Sequence, residues 1–148
     1  MSAEGLKPGQ IPITEGLFTW QGGEPYLIGG RCKSCGSYFF PRSYVVHKPG
    51  CHQREVEDVL LSRTGKLRSY TWHYYQPPAP FRSSEPFTPY GIGLVELPEG
   101  IRVFGIMTGC EQRDLRTGMD VELVTEKLYE NEAGNECLTW KFRPMRKL

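Results

Sequence analysis

Arg31-Cys32-Lys33-Ser34-Cys35-Gly36, followed at a distance by His47-Lys48-Pro49-Gly50-Cys51-His52, is the stretch that organises the rest of the chain. Two thiols two residues apart, with a glycine after the second, make a turn that points both sulfurs at one ion and sets backbone N–H groups against the thiolates. The pattern continues as Cys-x2-Cys-x11-His-x3-Cys, sulfur and imidazole donors at a spacing zinc accepts. Cys32, Cys35, His47 and Cys51 are therefore expected to form one tetrahedral zinc site. His52 is the rival for the fourth position, but it would bind beside its neighbour Cys51, and adjacent residues converge poorly on one metal. A redox pair would need a thioredoxin-like βαβ setting, whereas the flanks here, Tyr26-Leu27-Ile28 and Tyr38-Phe39-Phe40, are strand-like. Four protein ligands leave no position for water, so the expected role of the metal is structural.

A ribbon from about residue 24 to 54 is too short to bury a core and depends on its metal. The 148 residues leave room for one further ordinary domain, and a hydrophobic content of 39% suits a globular chain. With 17 glycines and 12 prolines, turns are favoured over long helices. A formal charge of +1 argues against wholesale binding to polyanions. No apolar run approaches a membrane span and no secretory signal opens the chain, so a cytoplasmic protein is expected, its five cysteines reduced and free for metal.

Residues 1–23 carry Gly5, Pro8, Gly9, Pro12 and Gly16 and read as an extended arm, ending in the aromatics Phe18 and Trp20, which are expected to pack locally. From residue 55 to 148 the pattern is β throughout. Val56–Leu61, Lys66–Tyr75, Gly91–Leu97, Ile101–Thr108, Asp120–Glu130 and Glu136–Phe142 are strand candidates, rich in β-branched and aromatic residues. Pro98-Glu99-Gly100 joins two of them as a hairpin. The fold class expected is all-β: an N-terminal zinc ribbon followed by a five- or six-stranded OB-fold barrel with a basic tail. Tyr70, Trp72 and Tyr74 recur with period two and are expected to face the core. Gln76 to Tyr90 holds five prolines in fifteen residues and reads as a long ordered loop, of the kind that often carries function. Its Phe81, Arg82, Phe87 and Tyr90 are candidates for a partner surface.

Gly30-Arg31-Cys32-x2-Cys35-Gly36, Phe40-Pro41-Arg42, the run from Leu61 to Thr71, Pro77-Pro78-Ala79-Pro80-Phe81 and the run from Pro89 to Leu97 together resemble the acyl-CoA-associated family that joins a rubredoxin-like zinc ribbon to an OB-fold. The resemblance spans about residues 26–143 and implies a small companion of a thiolase-like catalytic subunit, placed at the acyl-CoA site. The acyl chemistry would belong to the partner's nucleophilic cysteine. Within that family the arm and the His47–His52 segment are most similar to the small subunits of benzoylsuccinyl-CoA thiolases of anaerobic toluene degradation. His47-x3-Cys51 departs from the second Cys-x2-Cys of the family, which leaves the fourth ligand open between His47 and His52.

The residues agree with a companion that has no catalytic group of its own. A nucleophilic cysteine needs a base and an electropositive setting, and Cys110 precedes Glu111 while Cys137 lies in a strand. The competing expectation is a nucleic-acid-binding module. Arg63, Lys66 and Arg68, the tail residues Lys141, Arg143, Arg146 and Lys147, and the aromatics Tyr70, Trp72, Tyr74 and Tyr75 favour it. The near-neutral total charge opposes it. The first reading, with no nucleic acid and no membrane as partner, is preferred.

Overall fold

The computed structural model describes residues 6–41, 50–51, 55–75, 78 and 87–145. Ten strands follow in order: β1 (Gln10–Pro12), β2 (Phe18–Gln21), β3 (Glu24–Cys32), β4 (Tyr38–Phe39), β5 (Val56–Leu60), β6 (Thr64–His73), β7 (Tyr90–Glu96), β8 (Arg102–Met107), β9 (Asp120–Glu130) and β10 (Glu136–Pro144). A single 3-10 turn at Gln112–Asp114 is the only helical segment among the described residues, and no helix there is long and apolar enough to cross a membrane. The chain is all-β, a ribbon followed by a closed barrel.

In the ribbon, β2 and β3 form a hairpin with Phe18 opposite Leu27. β3 is long enough to pair twice more, with β4 at Gly30 and Arg31 and with β5 from Ile28 to Cys32, both antiparallel. Where it passes β4, a Cβ on Gly30 would stand 2.4 Å from the Phe39 ring, so the crossing admits only glycine.

The barrel runs β10-β8-β7-β6-β9, and a long antiparallel pairing of β9 with β10 closes the ring. Closure leaves its five strands without an open edge. The β8–β10 seam is parallel and short, with Lys141 opposite Ile106 and Phe142 opposite Met107. Beyond it β1 takes over, lying parallel to β10 from Gln10–Glu136 to Pro12–Leu138. Part of the arm is thus a strand of the barrel sheet. Leu67, Val95, Val103, Met107, Val121, Leu123 and Phe142 fill the interior. Gly105 makes room for the largest of them, since a Cβ there would lie 2.5 Å from the Phe142 ring.

Ribbon and barrel share one buried cluster, in which Phe18, Trp20, Leu27 and Leu61 join the barrel residues. The Phe18 ring meets Trp20 edge to face at 5.3 Å and Trp140 at 6.3 Å, and Phe40 meets Trp140 at 5.6 Å. Polar contacts hold the same joint. Arg63 donates through Nε to the Pro25 carbonyl at 3.0 Å and through Nη2 to the Leu123 carbonyl at 3.3 Å, one on each side. Ser62 donates its backbone N–H and its hydroxyl to Glu99 Oε2, at 2.8 and 3.0 Å.

The period-two aromatics differ from the expectation. On β6 only Leu67 is fully buried, while Tyr70 is exposed and Trp72 half-buried, and Tyr74 just beyond the strand is exposed. A register irregularity between Leu67 and Ser69 sets Tyr70 opposite Gly93 and Trp72 opposite Gly91, on the sheet face of Leu67 and Val95, yet neither ring is fully enclosed there. The tyrosines turn to the β8–β9 connection instead. Tyr70 donates to the Leu115 carbonyl at 3.3 Å and Tyr74 to the side-chain oxygen of Gln112.

Candidate metal centre

Cys32 is the last residue of β3, and the chain turns back at once. Gly36 donates its N–H to the Cys32 carbonyl and Cys32 its N–H to the Ser37 carbonyl, both at 2.9 Å. Gly36 sits at φ 78°, the left-handed conformation that glycine supplies without strain. This turn carries Cys35 round to Cys32. Across from it, Lys33 donates its N–H to the Glu55 carbonyl at 3.0 Å, and an Arg31–Glu57 ion pair at 3.0 Å fixes β3 against β5. Arg31 also lies over the Tyr38 ring, 5.9 Å from its centroid.

The sulfurs of Cys32, Cys35 and Cys51 lie within 4.8 Å of one another. Cys32 Sγ and Cys51 Sγ are 3.8 Å apart. Two thiolates each about 2.3 Å from a tetrahedral ion stand about 3.8 Å apart, whereas disulfide sulfurs stand about 2 Å apart. No disulfide forms, and the donor set suits a soft or borderline metal ion. The Cys32 thiol is held below the ordinary thiol range, chiefly by the Cys35 backbone N–H and further by that of Ser34, against the opposing effect of burial. Those N–H groups favour the thiolate, the form that ligates metal. Ser37 Oγ lies 3.2 Å from Cys35 Sγ, a neighbour the cysteine spacing gave no sign of. His47 and His52 lie outside the described residues.

Of the loop candidates, Phe81 and Arg82 lie outside the described residues. Phe87 and Tyr90 are half-buried and pack edge to face at 5.9 Å, and the Tyr90 ring stacks on His73 at 5.3 Å. The other thiols are poor nucleophiles. Burial, and then the Asp114 carboxylate, push the Cys110 thiol up, and Cys137 is buried in β10.

The profile of the ChsH2 rubredoxin-like zinc ribbon domain matches residues 19–57, and that of the ChsH2 C-terminal OB-fold domain matches residues 58–126. A DUF35 domain-containing scaffold protein of Methanocaldococcus jannaschii is 35% identical over 121 residues, 80% of this chain and 82% of the relative. This chain belongs to the ChsH2-type zinc-ribbon and OB-fold family. Its relatives include the benzoylsuccinyl-CoA thiolase subunit BbsA of Thauera aromatica, 35% identical over 122 residues, 82% of this chain and 78% of that subunit. Among solved structures, an Ltp2-ChsH2(DUF35) aldolase superposes with a TM-score of 0.61 at 28% identity, covering 80% of this chain and 84% of that one. The three thiols fall inside the matched ribbon, so the metal-binding character of the site agrees with the family.

Proposed function

We propose that the chain is a non-catalytic companion subunit of a thiolase-type enzyme, and that it supports assembly and the acyl-CoA site of its partner. The observation that carries this is the relationship to thiolase subunits along 82% of the chain, in a molecule whose remaining half-buried thiol is pushed away from the thiolate form. Cys32, Cys35, Cys51 and His47 hold a zinc ion in this reading, with His52 as the alternative fourth ligand. The ion supplies a cross-link that folds the ribbon. The substrate is an acyl-CoA, of which benzoylsuccinyl-CoA is the specific candidate. The loop from Gln76 to Tyr90 covers apolar partner surface, with Phe81, Arg82, Phe87 and Tyr90 as anchors, since a few buried aromatic or Arg residues supply most interface energy.

The test is thiolysis of an acyl-CoA by the purified catalytic partner, with and without this chain. The chain alone is expected to be inert and to raise the partner's activity on mixing. Replacing both Phe81 and Phe87 by alanine is expected to weaken assembly at least about tenfold while leaving the fold and metal content unchanged. Thiolase activity from the isolated chain would end the proposal.

The nucleic-acid alternative is weakened by how its cations are engaged. Lys66 pairs with Asp120, Arg68 and Arg102 with Glu96, Arg143 with Glu122, and Arg63 with Glu24. At these residues a phosphate contact would have to displace a carboxylate, while Arg146 and Lys147 lie outside the described residues. In a band-shift assay with single-stranded DNA, no complex is expected to survive physiological salt at micromolar protein. A retained complex would restore that alternative.

A further inference from the structure

At the end of the barrel where β6 and β8 finish and β7 begins lies a cavity of about 250 Å³. Trp72, Tyr90, Ile106, Met107 and Cys110 form an apolar wall on one part of it, and Thr88, Thr108, Lys127 and Lys141 of β10 make much of the rest polar. The aromatic wall is braced from behind, because Tyr90 is stacked on His73 and carries Phe87 edge-on.

Lys141 is the unusual member. Its side chain is only 15% exposed, and its ammonium stands 3.4 Å from Glu126 Oε1 and donates to the Lys127 carbonyl at 3.4 Å. Charge-assisted bonds of this type are normally about 2.7–2.9 Å. The carboxylate oxygen it approaches already accepts the Thr108 hydroxyl at 2.7 Å. The second lysine of the cavity is better matched, with Lys127 Nζ 2.8 Å from Glu130 Oε1. A largely buried cation with only long contacts retains most of its capacity to donate. The charge sign and number of a ligand follow from the surroundings. Glu126, Glu130 and Glu136 beside the two lysines repel a dianion about twice as strongly as a monoanion, so a ligand held by Lys141 is restricted to one negative charge, with an apolar body against the aromatic wall.

We propose that this cavity binds a small carboxylate with an apolar or aromatic body, the carboxylate on Lys141 Nζ and the body against Trp72 and Tyr90. The site holds whether or not the chain is a thiolase companion. The carboxylate comes either from a free acid or from the far end of an acyl thioester, and the two sources share this chemistry.

The test is calorimetric titration of the full-length, metal-loaded chain with phenylacetate and hexanoate, with phenylacetamide as the neutral isostere and adenosine monophosphate as the dianion. Saturable binding of both carboxylates is expected in about the millimolar range for ligands of this size. The amide is expected to bind about ten- to a hundredfold more weakly, as is phenylacetate to Lys141→Met at unchanged melting temperature. Displacement of phenylacetate by glutaryl-CoA but not butyryl-CoA assigns the thioester source, and displacement by neither assigns the free acid. The proposal is overturned by absence of saturable carboxylate binding, by equal affinity for the amide, by preference for the nucleotide, or by a folded Lys141→Met that binds normally. The comparison of acid with amide on the unaltered chain decides the matter even where the variant fails to fold.

Discussion

Cys32→Ser is expected to abolish stoichiometric metal binding and to unfold the ribbon while the barrel strands persist. Cys32 is fully buried at the end of β3, its sulfur is 3.8 Å from that of Cys51, and its thiolate is the one the knuckle N–H groups stabilise. The other ties at the ribbon tip are backbone pairing with β5 and a partly exposed Arg31–Glu57 ion pair. β4 is two residues long, and its pairing with β3 rests on Gly30 and Arg31. In small zinc modules metal binding supplies about 10–16 kcal/mol at neutral pH, and that binding free energy is folding free energy. Metal analysis and limited proteolysis check this together: less than one metal per chain, with cleavage concentrated between residues 24 and 60. Full occupancy in the variant would remove Cys32 from the ligand set. The parallel pair His47→Ala and His52→Ala decides the fourth ligand, since only one of them should lower metal content.

Phe18→Ala is expected to have a comparably large effect on stability and none on metal content. Phe18 has no exposed surface and bridges the indoles of Trp20 and Trp140. Deleting a buried phenyl ring costs about 3–5 kcal/mol, because the vacated space only partly collapses. For a chain of this size that corresponds to a fall in melting temperature of roughly 6–20 °C. Differential scanning calorimetry reads the shift and metal analysis the retained ion. A loss of metal equal to that of Cys32→Ser would mean that the joint, not the knuckle, holds the site.

The strands were legible where one physical signal acted alone. Gly91–Leu97 and Ile101–Thr108 are set off by the hairpin signal Pro98-Glu99-Gly100, and β7 and β8 stand within a residue of those bounds. The grouping of Cys32, Cys35 and Cys51 was legible because spacing and donor chemistry coincide, and their sulfurs converge within 4.8 Å. Other features depend on tertiary context. Gln10–Pro12 has no alternation and becomes a strand only because β10 offers it a row of backbone groups. Val56–Leu60 looks like any other strand, and its hydrogen bonds go to β3 of the ribbon. The irregularity after Leu67 sets Tyr70 and Trp72 on the face of Leu67, where strict alternation would have put Ser69 and Thr71, and Tyr70 is exposed all the same. Lys141 read as part of a basic tail, whereas β10 tucks it against Glu126 at the mouth of a cavity.

Arg63 has a consequence for association. Its guanidinium grips the Pro25 carbonyl of the ribbon and the Leu123 carbonyl of the barrel at once, with the Tyr26 ring beneath it, while Ser62 beside it is moored to the β7–β8 turn through Glu99. Two modules tied by a planar fork of donors have little freedom to pivot. Any protein that touches both therefore meets a gauge already set to one angle, and the orientational entropy of aligning the two surfaces is lost during folding, before the encounter.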